Sequence, residues 1–188
     1  MSAAALAPQR HRLSVADYHR MSEAGIFSAD ARVELIEGEI IDMPPIGIDH
    51  AYVVTKLTAL LTRKAGVNAI VYAQNPINLN HHSEPQPDIA LLRYRDDFYR
   101  HTRPGPADII LLVEVADSSL RYDLDVKLPL YARHGIPEVW IVDLQRQRLE
   151  IHRRPEESAY LEKRCPDKGE FISPRGLAEC GFDLEDLF

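Results

Sequence analysis

Ile109-Ile110-Leu111-Leu112-Val113-Glu114-Val115-Ala116 is the stretch that decides the fold of this chain. It is apolar throughout except for one acid. A run of that kind reads as a central β-strand covered on both faces, because a half-exposed strand would alternate. Working outward, Pro87-Asp88-Ile89-Ala90-Leu91-Leu92 reads as a neighbouring strand and Ala69 to Gln74 as another. Asp49 to Ala65 places Val53, Val54, Leu57, Leu60 and Leu61 at helical spacing, with Gly66 as the stop. On the other side, Tyr122 to Arg133 predicts a helix ended by Gly135 and Pro137, with a kink expected at Pro129. Val139 to Val142 follows as a further buried strand. The order is helix, strand, strand, strand, helix, strand. An αβββαβ core of this kind is an α/β fold with a mixed central sheet flanked by helices.

The flanks add smaller pieces. Ser14 is placed to cap a short helix running to about Ala24, with Asp17 in its first turn. Arg32 to Met43 reads as a strand pair turning at Glu37-Gly38 and ended by Pro44-Pro45. Arg148 to Arg153 alternates and is expected to be an edge strand. The remainder is expected to be a mixed strand and tail, with an acidic amphipathic end from Phe182 to Phe188. Residues 1–12 read as a loose tail, and the 188 residues as a single domain.

Bulk composition bounds the function. The chain is 45% hydrophobic and 27% charged, which is ordinary for a globular protein. No stretch is long and apolar enough to predict a membrane span, so no membrane partner is expected. Cys165 and Cys180 form no disulfide framework and no metal-ligand pattern, which points to reduced thiols and a cytoplasmic setting. A net charge of −7 argues against a general nucleic-acid coat, whose affinity comes from many phosphate contacts. It leaves room for an enzyme that meets DNA through a local basic surface. Arg93 to Arg103 mixes arginine with tyrosine and phenylalanine and is a candidate for that surface, or simply a solvated loop.

The chemistry centres on acids in apolar strands. Desolvating a carboxylate is costly, so buried acids need partners. Asp88 and Glu114 lie in consecutive strands, and Glu114 shares its strand face with Ala116. Two carboxylates with a main-chain carbonyl suit a hard cation, Mg²⁺ or Mn²⁺. Lys127 on the next helix is long enough to reach the gap above Ala116, or to pair with Asp123 at i,i+4. His50 and Glu34 are open candidates, His81-His82 reads as a solvated loop, and Trp140 and Tyr131 read as core.

Several segments then converge on one resemblance. Arg32-Val33-Glu34-Leu35-Ile36-Glu37-Gly38-Glu39-Ile40, Pro87-Asp88-Ile89-Ala90-Leu91, Val113-Glu114-Val115, Arg121-Tyr122-Asp123-Leu124, Lys127-Leu128-Pro129-Leu130-Tyr131-Ala132 and Gly135-Ile136-Pro137-Glu138-Val139-Trp140-Ile141-Val142-Asp143 together resemble the Uma-type family of bacterial endonucleases. That family lies within the PD-(D/E)XK nuclease superfamily. The resemblance covers roughly Ser14 to Arg153. It implies a restriction-endonuclease-like fold, a divalent metal, phosphodiester hydrolysis on DNA and a homodimer. It implies Asp88 and Glu114 as metal ligands, Lys127 as a relocated catalytic lysine and Glu34 as a further site acid. The superfamily's usual lysine position is Ala116 here, and Asp117-Ser118-Ser119 follows where Ser-Pro-Ser is common. Two other readings are carried beside it. One is a catalytically silent nuclease-fold protein that binds nucleic acid or a protein partner. The other is a metal-dependent hydrolase of small phosphorylated substrates. For the dimer, Arg148 to Arg153 and the apolar tail Phe182, Leu184, Leu187 and Phe188 are the expected contact surfaces.

Overall fold

A computed structural model describes residues 10–188 apart from residue 29. Of the tail expected over residues 1–12, residues 1–9 lie outside the described part. Residues 10–12 run close against a hairpin formed by β1 (Val33–Ile36) and β2 (Glu39–Asp42). Gly38 at its turn has φ +84°, and a Cβ there would fall 2.6 Å from Arg12 Cβ and 2.9 Å from Arg12 Cα. Only glycine combines that backbone with so close an approach. Helix α1 (Val15–Glu23) begins at Ser14, whose hydroxyl accepts from Asp17 N while Ser14 N donates back to Asp17. This reciprocal cap satisfies two otherwise orphaned donors.

The main body is a six-stranded sheet in the order β3-β4-β5-β6-β7-β8. Its strands are β3 (Ala69–Ala73), β4 (Ile89–Arg93), β5 (Ile109–Ala116), β6 (Glu138–Asp143), β7 (Arg148–Glu156) and β8 (Ala159–Arg164). Every residue of β5 is buried, as its composition requires. β5 and β6 are parallel, and the other pairings are antiparallel. A parallel pair needs a crossover, which the helical segment between them supplies. Helix α2 (Ile48–Ala65) covers one face with Val53, Val54, Leu57 and Leu61, packed with Leu111, Val113 and Trp140. The opposite face packs Leu112, Ala116 and Ile141 against Leu130, Tyr131 and Ile36. Among the described residues no helix is long and apolar enough to cross a membrane.

Three expectations are corrected. The crossover helix starts at Leu120 rather than Tyr122, and its irregularity precedes the proline. α3 (Leu120–Tyr122) runs into a π-helical turn (Asp123–Lys127) and then α4 (Leu128–Arg133). Leu128 N donates to Asp123 O, one residue further back than in an α-helix. Pro129 explains the wide turn: its ring would crowd the carbonyl four residues earlier, and it has no N–H to give. Second, Arg148 to Arg153 is not an edge, because β8 pairs along its outer side. The alternation that suggested an edge is chemical: Leu149 and Ile151 alternate with Glu150 and His152, and all four are buried. Third, the C-terminal residues form no free tail. β9 (Phe171–Ile172) and β10 (Phe182–Asp183) pair, and Phe182, Leu184 and Leu187 are buried in the α2 face of the core. Of the residues expected at a dimer contact, Phe182, Leu184 and Leu187 are thus spent within the protomer.

The close approach at Gly38 yields a stability test. Gly38→Ala should lower the free energy of unfolding in urea by about 1–3 kcal/mol, the range for a residue forced into a sparsely populated backbone region. An unchanged urea midpoint would mean that the turn and Arg12 are not held as described.

Candidate active-site cleft

Four segments converge on one cleft of about 360 Å³. The strand register sets its floor. Ile89 pairs with Val113, so Asp88 and Glu114 fall opposite each other, one step beyond, on the same face of the sheet. Asp88 Oδ2 accepts from Val115 N at 2.8 Å, and Asp88 Oδ1 lies 3.0 Å from His50 Nε2 on α2. Hairpin β1–β2 brings Glu34, whose Oε2 accepts from Gln86 N at 3.0 Å. The π turn brings Lys127, only 4% exposed. Its ammonium lies 2.9 Å from Glu114 Oε1 and 3.5 Å from Glu34 Oε2. Glu114, Lys127, Asp88 and Glu34 all line the cleft.

Lys127 therefore does not spend its charge on an i,i+4 pair with Asp123 alone. It crosses to acids on two other elements. Tyr131, read from the sequence as core, belongs to the same group: its hydroxyl donates to Glu114 Oε1 at 2.5 Å. The available signal was its position four residues after Lys127, on the same helix face. Asp123, read from the sequence within a family motif and as a possible partner of Lys127, was not assigned to the site. It is buried, and Ser119 Oγ donates to it at 2.7 Å. Asp117 lines the cleft, whereas the His81-His82 pair does not. The Arg93–Arg103 loop starts at the opposite end of β4 from Asp88. Its Arg95 is paired with Asp97 and its Arg103 with Glu84, so much of its charge is already answered.

The electrostatics follow from crowding. Burial pushes the Glu114 carboxyl up to about 8, Lys127 pulling down and Asp123 and Asp88 pushing further up. Burial raises Asp123 as well. Burial would strip Lys127 of its proton, but Glu114, Tyr131 and Glu34 outweigh it, and its value is raised well above normal. The hydrogen bond to Asp88 raises His50 against the effect of burial. The cleft thus carries more acid than its resident cations neutralise.

That surplus, and its oxygen-only chemistry, fit a hard divalent cation. Among the described residues no group of three His, Cys, Asp or Glu is arranged to cage a metal. Mg²⁺ needs no such cage, because it keeps several waters and binds through one or two carboxylates plus substrate phosphate. The contacts of Glu114 to Tyr131 and Lys127 both fall on Oε1, so a cation would meet its Oε2.

A family model described as "Uma2: Putative restriction endonuclease" matches residues 15–185. No curated protein matches the chain. Among solved structures, one titled as a putative nuclease belonging to DUF820, from Anabaena variabilis, superposes with a TM-score of 0.72 at 16% identity, covering 94% of this chain and 97% of that one. At that identity the likeness shows a shared fold.

The raised Glu114 value has a measurable consequence for the metal-free protein. The folded state holds a proton that the unfolded chain releases near the ordinary value of 4.5. The stability Glu114 contributes is fully present below that value and is lost as pH rises through about 8. Glu114→Gln resembles the protonated acid and cannot ionise. In chelator, its melting temperature relative to the unmutated protein should therefore be more favourable near pH 9 than near pH 5, these being roughly the two limits of that titration. An equal difference at both pH values would place the titration elsewhere.

Proposed function

This chain belongs to the Uma2 family, and from that premise we propose that it is a metal-dependent endonuclease hydrolysing phosphodiester bonds of DNA. One observation carries the reading. A fully enclosed lysine from a π turn contacts Glu114 and Glu34, beside Asp88 on the adjoining strand. Buried charge costs several kcal/mol per ion after relaxation, roughly, and a well-packed apolar replacement usually serves stability as well. An arrangement that crowds acids around one lysine is better understood as chemistry than as a stabilising device.

In this reading Asp88 and Glu114 hold Mg²⁺ or Mn²⁺. The bound cation would supply phosphate charge neutralisation and a more acidic water. The chain's own residues do the rest. Val115 N fixes one oxygen of Asp88, and His50 orients the other. Tyr131 and Lys127 hold Glu114 Oε1, which would leave its second oxygen for a cation. The Lys127 ammonium, kept protonated by its acids, lies where it can orient the attacking water and stabilise negative charge growing on the phosphoryl group. Glu34 anchors Lys127 from the hairpin side. The free thiols Cys165 and Cys180 fit the cytoplasmic setting we assign to the protein.

The catalytically silent alternative draws on the lack of a three-ligand cage among the described residues. The two separate in one experiment. Purified protein should cut DNA with Mg²⁺ or Mn²⁺ and not in chelator. Either metal should raise the melting temperature at neutral pH. Lys127→Met, which keeps the volume and removes the charge, should cut at least ~10²-fold more slowly while keeping the metal-induced shift. Melting curves indifferent to metal, together with no cleavage, would hand the reading to the silent alternative.

We also keep the homodimer, the commonest closed assembly. Its interface must lie outside the residues first expected, since Phe182, Leu184 and Leu187 are buried. Light scattering at tens of micromolar, roughly an ordinary working concentration, should return twice the 21.3 kDa protomer mass. A mass of one protomer would remove the dimer.

A further inference from the structure

The cleft has two chemically different walls, and only one is accounted for by hydrolysis. Between Asp42 and the approach of Gly47 to Asp117, the loop from β2 to α2 contributes Met43, Pro44, Pro45 and Ile46 to the lining. Ile46 is 43% exposed, and Ile48 just beyond it is 89% exposed. Exposed apolar residues scattered singly need no explanation, but a row of them forming one side of a polar cleft does. This wall is also preset. Arg32 Nη1 donates to Pro44 O at 2.6 Å, and two consecutive prolines restrict the backbone beside it.

The charge of the lining points the same way. Six acids line the cleft: Glu34, Asp42, Asp88, Glu114, Asp117 and Asp123. Against them stand Arg32, His50 and Lys127, and Lys127 is already committed to Glu114 and Glu34. Duplex DNA is gripped through many phosphates along both backbones, each needing a cation. This cleft offers no such row. It offers room for one phosphate at a metal, and an apolar surface next to it. The volume of about 360 Å³ lies at the small end of the range for small-molecule sites. Tyr122 also lines the cleft, and its hydroxyl is shielded from water without a hydrogen-bond partner among the described residues. A buried hydroxyl left unpaired is costly, and a ligand group would repair that.

We propose that the cleft takes one unpaired nucleotide, with its phosphate at the acids, its base against the Pro44–Ile46 wall and a polar edge at Tyr122 Oη. The preferred substrate is then single-stranded or locally unpaired nucleic acid rather than intact duplex. A base has an apolar face that a stacked duplex hides and an unpaired strand presents. The inference rests on the nuclease reading and narrows it.

The test uses the full-length protein and one sequence in three forms: single strand, perfect duplex, and duplex with an internal unpaired bubble. Binding is followed by fluorescence anisotropy in chelator and in Ca²⁺, and cleavage in Mn²⁺. The single strand and the bubble should bind and be cut at least tenfold better than the duplex. Ile46→Ser, at a half-exposed position whose change spares the core, should raise KM severalfold on the single strand with kcat little altered. An abasic site at the cut position should cost the unmutated protein a similar factor, and the two losses should not add. Equal cutting of duplex and single strand, or an Ile46→Ser protein indistinguishable from the original, would overturn the unpaired-nucleotide site and leave the nuclease intact. Absence of cleavage on all three forms, with no metal-induced thermal shift, would overturn the nuclease reading and this inference with it.

Discussion

The rest of the structure is arranged around a single enclosed ammonium. Lys127 is buried on a π turn and faces carboxylates from β1 and β5. Such a group could not remain charged in an apolar interior by itself; its pKa would collapse. It stays charged because three elements bring it negative partners. Hairpin β1–β2 delivers Glu34, the central strand delivers Glu114, and the helix itself delivers Asp123. Each of those partners is in turn uncomfortable without the lysine. The hairpin is tied to the loop ahead of β4 by Gly38 N donating to His82 O and Glu84 N donating to Leu35 O. Its position, and that of Glu34, therefore depends on contacts far from the cleft.

The other buried acids show why Glu114 stands apart. Glu138 is as deeply buried, yet it accepts from Trp140 Nε1 at 2.6 Å, Arg153 at 2.8 Å and Arg175 N at 2.8 Å. That carboxylate is fully answered, and it stitches the C-terminal segment to the sheet. Glu150 is flanked by Arg148, Lys163 and His152, and these outweigh burial to hold it below the ordinary carboxylate range. Both are acids whose charge the fold has paired. Glu114 shares one lysine with Glu34 and has two further acids beside it, so its proton is held up to about 8. Burial is common to all three. What marks the cleft is the shortage of counter-charge, which a satisfied structural ion pair does not show.

Most of the fold was legible because its elements are strongly patterned. The wholly apolar run ending in Glu114-Val115-Ala116 became the fully buried β5. The stripe Val53, Val54, Leu57, Leu60 and Leu61 became the core face of α2. The failures came where tertiary pairing overrides local pattern. Nothing in Arg148 to Arg153 announces that β8 will lie outside it. The apolar residues from Phe182 onward look like a sticky end until β9 and β10 fold them under the sheet. In the cleft, Asp88 and Glu114 stood out from the sequence because acids in apolar strands are conspicuous, whereas Glu34 and chiefly Lys127 came from the family resemblance. Tyr131 did not stand out, because a tyrosine in an apolar helix is unremarkable until its hydroxyl is seen to have a destination. Tyr122 and the Pro44–Ile46 wall escaped for a similar reason: their meaning lies in what they face.

Lys127 reaches the acids from a helix rather than from the central strand, and that route has physical consequences. A lysine at position 116 would be fixed to the same rigid β-strand as Glu114. Ala116 instead packs into the core beneath the crossover helix, and the charge arrives from that helix. Its placement then depends on the turn that Pro129 forces. An unbroken α-helix from Leu120 would advance every residue by about 100° per step. The π turn inserts one extra residue into the circuit and so rotates the following turn relative to the preceding one. Asp123, Lys127 and Tyr131 recur every four residues, so one short helical segment presents all three on one side while Leu130 stays in the core. The cost is a weakened run of helix hydrogen bonds, accepted at the point where the chain brings its charges together.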